Sequence, residues 1–227
     1  VALSLVVAVF GPPAAGKTTL TMALAAEPGR QVFRLREHVP PEILAATATS
    51  AERLGWIDDN TVADALRRYI EAVNGDGQTH TVLFDNFPGS AEQVGLLLAT
   101  LRELVPVVHV EAVELTAAPK VLNKRARNRR VCHRCERDPI SDPRMPAEPS
   151  SYDPWRCSRC SGLLHPRRGD APTLLRARMQ RYRQTATGIR EAFTAAGVAV
   201  SQLDSSDNPT HTVQICAPLL IARSELS

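Results

Sequence analysis

Aromatic residues are scarce in this chain: two Trp, three Tyr and five Phe among 227 residues, 4% in all. A core built mainly from stacked rings is excluded, which leaves Leu, Val, Ile and Ala to fill the interior. A strong charge of one sign is missing too. Twenty-seven basic residues stand against 24 acidic ones, a net +3, too small to imply nucleic-acid binding by itself. Long apolar runs are absent. The stretch Val1 to Phe10 is apolar, but it is too short to cross a bilayer and lacks the basic flank and cleavage site of a secretory leader. There is no internal repeat and no low-complexity tract. What remains is 44% hydrophobic and 22% charged, ordinary for a soluble globular protein. The length suffices for one α/β core with small insertions. No membrane association is expected, and a cytoplasmic location is.

The apolar runs alternate with helix-period segments. Leu3 to Phe10, Gln31 to Leu35, His80 to Phe84, Val107 to Leu115 and Val198 to Leu203 read as short strands buried on both faces. Between them lie amphipathic helices. Asn60 is placed to cap one bearing Val62, Leu66, Tyr69, Ile70 and Val73. Ser90 and Gln93 have capping-box spacing ahead of Val94, Leu97, Leu98 and Leu101. Asp170 is placed to cap a long helix carrying Leu174, Leu175, Met179, Tyr182 and Phe193. Strands alternating with helices predict a parallel sheet wrapped on both sides. Two stretches break the rhythm. About forty residues after the second strand are helical with no strand between them. From Cys132 to Arg168 the chain is rich in Pro, Arg, Ser and Cys, has no apolar periodicity and needs a staple.

Three groups of residues carry chemistry. Gly11-Pro12-Pro13-Ala14-Ala15-Gly16-Lys17-Thr18 matches G-x-x-x-x-G-K-[ST] between a predicted strand and the helical run Thr19 to Ala26. Such a loop turns successive N–H groups toward an anion, the helix N-terminus adds positive potential, and Lys17 adds a point charge for the β/γ-phosphates of a nucleotide. The hydroxyl of Thr18 or Thr19 can join a magnesium shell. Asp85 ends the third strand at the sheet edge where ligands bind, and can hold the same ion directly or through water. Cys132-His133-Arg134-Cys135 and Cys157-Ser158-Arg159-Cys160 are two C-x2-C pairs that together supply four thiolates for a tetrahedral, structural zinc, with disulfides the weaker alternative. His133 and His165 are read as bystanders, and Cys216, with Leu219 and Leu220, as a small core residue. Finally, arginines crowd positions 125–134 and 167–183, which points to an anionic ligand.

The glycine loop, the Asp85-Asn86-Phe87-Pro88 turn followed by Gln93, the cysteine-bearing insertion and the Arg-rich helix after it occur in the order found in adenylate kinases. The chain resembles that family over nearly its whole length. The resemblance implies a P-loop NTPase-type core (1–32, 76–131 and 169–227), a helical acceptor-binding insertion (33–75) and a zinc-ribbon-like lid (132–168) that closes over ATP. Arg125 and Arg129 match a family pair that contacts ATP, and Arg167 and Arg178 match two further arginines beyond the lid. Arg178 also lies on the Leu174–Tyr182 line of its helix, so it requires either an anionic ligand or a structural carboxylate. Gln93 matches the glutamine that reads the acceptor base, or else serves as the capping partner of Ser90.

Three departures stand out. Ala14 replaces a usual glycine, and Thr18-Thr19 replaces Gly-Thr. The two arginines that hold the acceptor phosphate fall at Pro40 and Gly89, with Arg34, Arg36 and His38 near enough in sequence to replace the first. The expected activity is transfer of the ATP γ-phosphoryl to a nucleoside monophosphate, AMP by default, by a monomer with Lys17, Arg129, Arg167 and Arg178 as the charge-stabilising groups. A kinase of the same fold for another acceptor, and a non-catalytic nucleotide-binding module, are the rival readings.

Overall fold

The computed structural model describes residues 2–48, 56–137, 143–208 and 211–216. Five parallel strands form the main sheet: β1 (Leu5–Phe10), β2 (Arg30–Phe33), β3 (Thr81–Asp85), β4 (His109–Thr116) and β7 (Val200–Asp204), in the order β2-β3-β1-β4-β7. β1 and β3 are buried along their whole length, as unbroken apolar runs require when helices cover both faces. The expectation of full burial fails at β2 and β7. These are the sheet edges, where only Phe33 of β2 is buried and no residue of β7 is.

Among the described residues the sheet is accompanied by the helices α1 (Lys17–Leu24), α2 (Pro41–Ala48), α3 (Asp59–Gly75), α4 (Ala91–Leu104), α5 (Pro119–Asn128) and α6 (Pro172–Ala195). A further helical segment covers 211–216 and buries Cys216, while Leu219 and Leu220 lie outside the described residues. On one side of the sheet Val6, Ala8, Phe10 and Phe84 pack against the stripes of α3, α4 and α6. On the other, Val7, Val9 and Leu83 pack against Leu20, Leu24 and Leu122. The predicted stripe of α3 is buried throughout, at Val62, Leu66, Tyr69, Ile70 and Val73.

Capping differs from the sequence reading at two of three helices. Ser90 does cap α4, accepting from Gln93 N at 3.3 Å. α3 begins one residue before Asn60, and the Asp58 carboxylate caps it by accepting from Thr61 N at 3.0 Å. Asp170 caps nothing: it ends a 3-10 turn over Arg168–Asp170, and α6 starts two residues later with Pro172 in its first turn. Leu174 proves exposed, so the inward stripe of α6 is Leu175, Ala186, Ile189 and Phe193.

The stretch from 33 to 75 opens on Phe33, the last residue of β2, and beyond it holds a 3-10 turn over Leu35–Glu37, α2 and α3, with no further strand among its described residues. The Cys-rich stretch lies outside the main sheet. Its entry and exit, β5 (Arg130–Val131) and β6 (His165–Pro166), pair antiparallel, and its buried apolar cluster, among the described residues, is Cys132, Cys157 and Leu164.

Candidate functional site

At the C-terminal end of β1 the chain direction splits, with β3 on one side and β4 on the other. The crevice outside such a switch point is where open α/β sheets bind ligands. A cavity of about 1020 Å³ opens there. The β1–α1 loop forms its floor. Gly11 (φ 143) sits so close to β4 that a Cβ would lie 2.3 Å from the Leu115 carbonyl oxygen, so no other residue fits. Gly16 (φ 94) is left-handed and starts α1. The Lys17 ammonium folds back onto the loop, donating to the carbonyl oxygens of Gly11 (2.8 Å) and Pro12 (2.7 Å). Burial, and after it the Arg178 guanidinium, pushes Lys17 down to about 7, against the opposing pull of Asp85.

The cavity lining is charged in one sense. Among the described residues it contains Lys17 and ten arginines (34, 36, 125, 129, 130, 144, 167, 168, 178 and 181), with Asp85 as its single carboxylate. Asp85, buried at the end of β3, accepts from the Thr18 hydroxyl at 3.2 Å through one oxygen and from Arg34 Nε at 3.1 Å through the other. Thr18 and Asp85 thus bring two hard oxygen donors together where the sequence placed a divalent cation. Thr19 also lines the cavity.

Three of the four expected lid arginines converge on one carboxylate. Arg129 makes a fork-to-fork pair with Asp170, both N–H···O distances being 2.6 Å. Arg178 donates to the Gly169 carbonyl at 2.9 Å and stands 3.6 Å from Asp170, and Arg167 stands 3.9 Å from it. The structural carboxylate considered for Arg178 is therefore Asp170. One anion among three cations leaves Arg178 depressed to about 10, by burial first and then by Arg167. Arg125 is turned toward the chain after β7, donating to the carbonyls of Ser205 (2.5 Å) and Asp207 (2.8 Å).

At the opposite end, Gln93 accepts from Gly89 N–H through Oε1 at 2.8 Å, one residue earlier than a capping box would have it. Arg34 is shared between Asp85 and Glu37 (3.3 Å), and Glu37 also takes Arg144 from the Cys-rich segment. Arg36 lines the cavity. His38 does not: its ring stacks on Phe33, with centroids 5.0 Å apart, and so leaves the set of substitutes for the missing arginines.

Several lining residues escaped the sequence reading. Arg181 follows Arg178 by three positions on α6, a spacing that marks one helix face and was the available signal. Arg168 and Arg181 counted only as members of the arginine-rich stretch 167–183, and Trp56 and Arg144 gave no signal. Glu114, a buried anchor in β4, was missed as well. It accepts from Tyr182 Oη (2.6 Å), Arg190 Nη1 (2.8 Å) and Gln202 Nε2 (2.7 Å), fastening the cavity side of α6 to the sheet.

The four cysteines come together as the spacing predicts, their Sγ atoms all within 4.8 Å of one another. Separations of 3.3 Å (Cys135–Cys160), 3.4 Å (Cys132–Cys160) and 3.6 Å (Cys135–Cys157) are far from the ~2.05 Å of a disulfide. They approach the spacing of four sulfurs at ~2.3 Å around one zinc. Hydrogen bonds from the backbone N–H of Arg159, then Cys160, push the Cys157 thiol down, while the neighbouring sulfurs of Cys160 and Cys157 push that of Cys135 up. The cluster can hold a structural metal such as zinc. His133 and His165 pack against each other and stay outside it.

No helix among the described residues is long and apolar enough to cross a membrane. No protein-family model and no curated protein matches this chain, so its function has to be argued from this cavity and this cluster.

Proposed function

We propose that this protein is a magnesium-dependent kinase that seats ATP along the β1–α1 loop and passes its γ-phosphoryl to a nucleoside monophosphate, AMP by default. One observation carries the reading: a large cavity whose floor is a G-x-x-x-x-G-K-T loop and whose lining, among the described residues, sets eleven basic side chains against one carboxylate. Such a surplus of charge asks for polyanions. The loop suits a triphosphate tail. Its backbone approaches β4 too closely for side chains at Gly11, and Lys17, bonded only to neutral carbonyls, would trade them for phosphate oxygens.

The oxygen pair of Thr18 and Asp85 fits magnesium, which when bound would neutralise charge between the β- and γ-phosphates. Lys17 then takes the phosphate tail, while Arg129, Arg167 and Arg178, three cations to one Asp170, face the group in flight with positive charge left over. The acceptor's phosphate oxygen is already anionic near neutral pH, so no base is needed. That oxygen bonds to the γ-phosphorus as the bond to the β,γ-bridging oxygen breaks, releasing ADP. Arg144, Pro146 and Ala147 bring the Cys-rich segment over the cavity, where it would keep water from the reacting phosphoryl. A zinc held by Cys132, Cys135, Cys157 and Cys160 would give that segment its rigidity.

Lys17→Ala should abolish ADP formation in a coupled assay while circular dichroism stays native. Near-normal turnover by a folded variant would refute the proposal. A second reading, a kinase of the same fold for another acceptor, draws on Pro40 and Gly89, neither of which offers a charge where the resemblance expects one. It requires AMP to be inert while ATP still binds.

A further inference from the structure

Charges of alternating sign run from the end of β3 to the Cys-rich stretch. Asp85 accepts from Arg34 Nε at 3.1 Å, and Arg34 Nη1 donates to Glu37 Oε1 at 3.3 Å. That same oxygen takes Nη1 of Arg144, a residue 107 positions further along the chain. Arg34, Asp85 and Arg144 line the cavity, and Glu37 stands behind them, outside the lining.

We infer that Glu37 and Arg144 form a latch that holds the Cys-rich stretch down over the cavity, so that opening of this pair sets how fast ligands pass in and out. The inference takes its ligand from the phosphotransfer reading above and rests on it for that. The latch itself rests on the ion pairs.

Three observations support the assignment. Both partners are fixed before they meet. The N–H groups of Arg144 and Met145 donate to the Glu136 carboxylate at 2.9 and 3.1 Å, and that of Ala147 donates to the Arg130 carbonyl at 2.9 Å, so the segment carrying Arg144 is held within its own stretch. Glu37 ends the 3-10 turn after β2, where its N–H donates to the Arg34 carbonyl at 2.9 Å and Asp85 holds the Arg34 side chain. An exposed ion pair usually contributes little because two mobile side chains must be ordered to make it, and here other bonds supply much of that order. The pair is also reachable by water. The Glu37 side chain is 40% exposed and that of Arg144 19%, which suits a contact that opens and closes rather than a permanent staple. Finally, the pair joins segments of separate origin. Glu37 precedes α2 and Arg144 lies between β5 and β6, so it makes a contact that neither the main sheet nor the cysteine cluster supplies.

Two measurements on the zinc-loaded full chain test the latch. The first needs no nucleotide: carbodiimide-driven coupling of glycine ethyl ester to carboxylates, read by mass spectrometry at Glu37. Arg144→Gln should speed the labelling of Glu37 about threefold, with Arg144→Lys intermediate. The second is stopped-flow mixing with a non-hydrolysable MgATP analogue that carries a fluorescent tag on its ribose. Glu37→Gln should speed both entry and release about threefold and leave Kd within about twofold, because a latch changes passage more than affinity. Arg144→Gln should speed release as much, and the double variant Glu37→Gln/Arg144→Gln no more than either single one.

The latch is overturned if Glu37 labels equally fast in wild type and Arg144→Gln, or if Glu37→Gln leaves the release rate unchanged. It is equally overturned if the two substitutions multiply in their effect on release, since residues acting separately would do so. Absence of any binding of the analogue to wild type, with Glu37 still shielded by Arg144, would instead bring down the phosphotransfer reading and leave the ion-pair contact standing without its ligand.

Discussion

The two walls of the cavity are built by different physics. The floor, from β1 through α1, belongs to a sheet whose apolar side chains are packed between helices on both faces. The roof, between β5 and β6, has as its buried apolar cluster, among the described residues, Cys132, Cys157 and Leu164. At about 1.5–3 kcal/mol per fully buried apolar side chain, the roof cannot offset the conformational entropy of ordering some thirty residues, whereas the floor can. Floor and roof even solve their electrostatics differently. The arginines that flank the roof, Arg129 and Arg178, share a carboxylate, Asp170, while Lys17 in the floor has only carbonyl oxygens within bonding distance. A cavity assembled this way has one wall ordered by its apolar packing and one whose order would depend on a metal held by its four cysteines.

The sharpest way to break that comparison is to take the metal away. Chelation, or Cys157→Ser, should strip the amides of residues 143–166 of their hydrogen-exchange protection while those of β1, β3 and β4 keep theirs. Structural zinc contributes about 10–16 kcal/mol of folding free energy in small zinc modules, far more than the roof's apolar cluster can replace. If the roof stays protected with the metal gone, the division into an apolar floor and a metal-held roof is wrong.

Lys17 tests the floor's electrostatics. Its pKa is lowered from 10.5 unfolded to about 7 folded, chiefly by burial and then by Arg178. Between these two values the unfolded chain binds one more proton than the native state. Stability therefore rises with pH across the window, by up to about 1.4 kcal/mol per unit, and is flat with respect to this group below and above it. Urea midpoints of wild type minus those of Lys17→Met should show that slope. Binding a phosphate anion restores the charge, so at pH 8 binding of the MgATP analogue should take up a proton that at pH 6 is already in place. Calorimetry in two buffers of different ionisation enthalpy reads the uptake. An unchanged proton balance at pH 8 would mean that the ammonium does not meet the anion.

How far these walls were legible in the sequence follows from the same physics. Unbroken apolar runs and a glycine-lysine turn are local signals, and they located β1, β3 and the floor loop. Cysteine spacing is likewise local, and it located the roof's cluster. What stayed hidden was long-range pairing. Asp170 looked like a helix cap because Asp before an apolar stripe usually is one, yet a bidentate bond to Arg129, 41 residues away, outweighs capping a helix that Pro172 already starts well. Edge exposure of β2 and β7 depends on strand order, which no single run encodes. Arg181 was visible only as one arginine among many, because its partner Trp56 lies outside any periodic stripe.

The smallest expected effect separates floor from roof most cleanly. Ala14 in the floor (φ 66) and Ser161 in the roof (φ 57) both hold the left-handed conformation, which costs an L-residue roughly 1–2 kcal/mol. Glycine removes the strain but adds freedom to the unfolded chain, about 0.5–1 kcal/mol in the opposite direction. Ala14→Gly should therefore raise global stability by about 0.5 kcal/mol, read as a higher urea midpoint, because the floor unfolds with the sheet. Ser161→Gly relieves the same strain in a segment that, if metal-held, would open apart from the sheet. Its gain should appear as tighter metal retention in a chelator competition, with the sheet's midpoint unmoved. Equal shifts of that midpoint by the two substitutions would show the roof to be part of the cooperative core, whatever its cysteines bind.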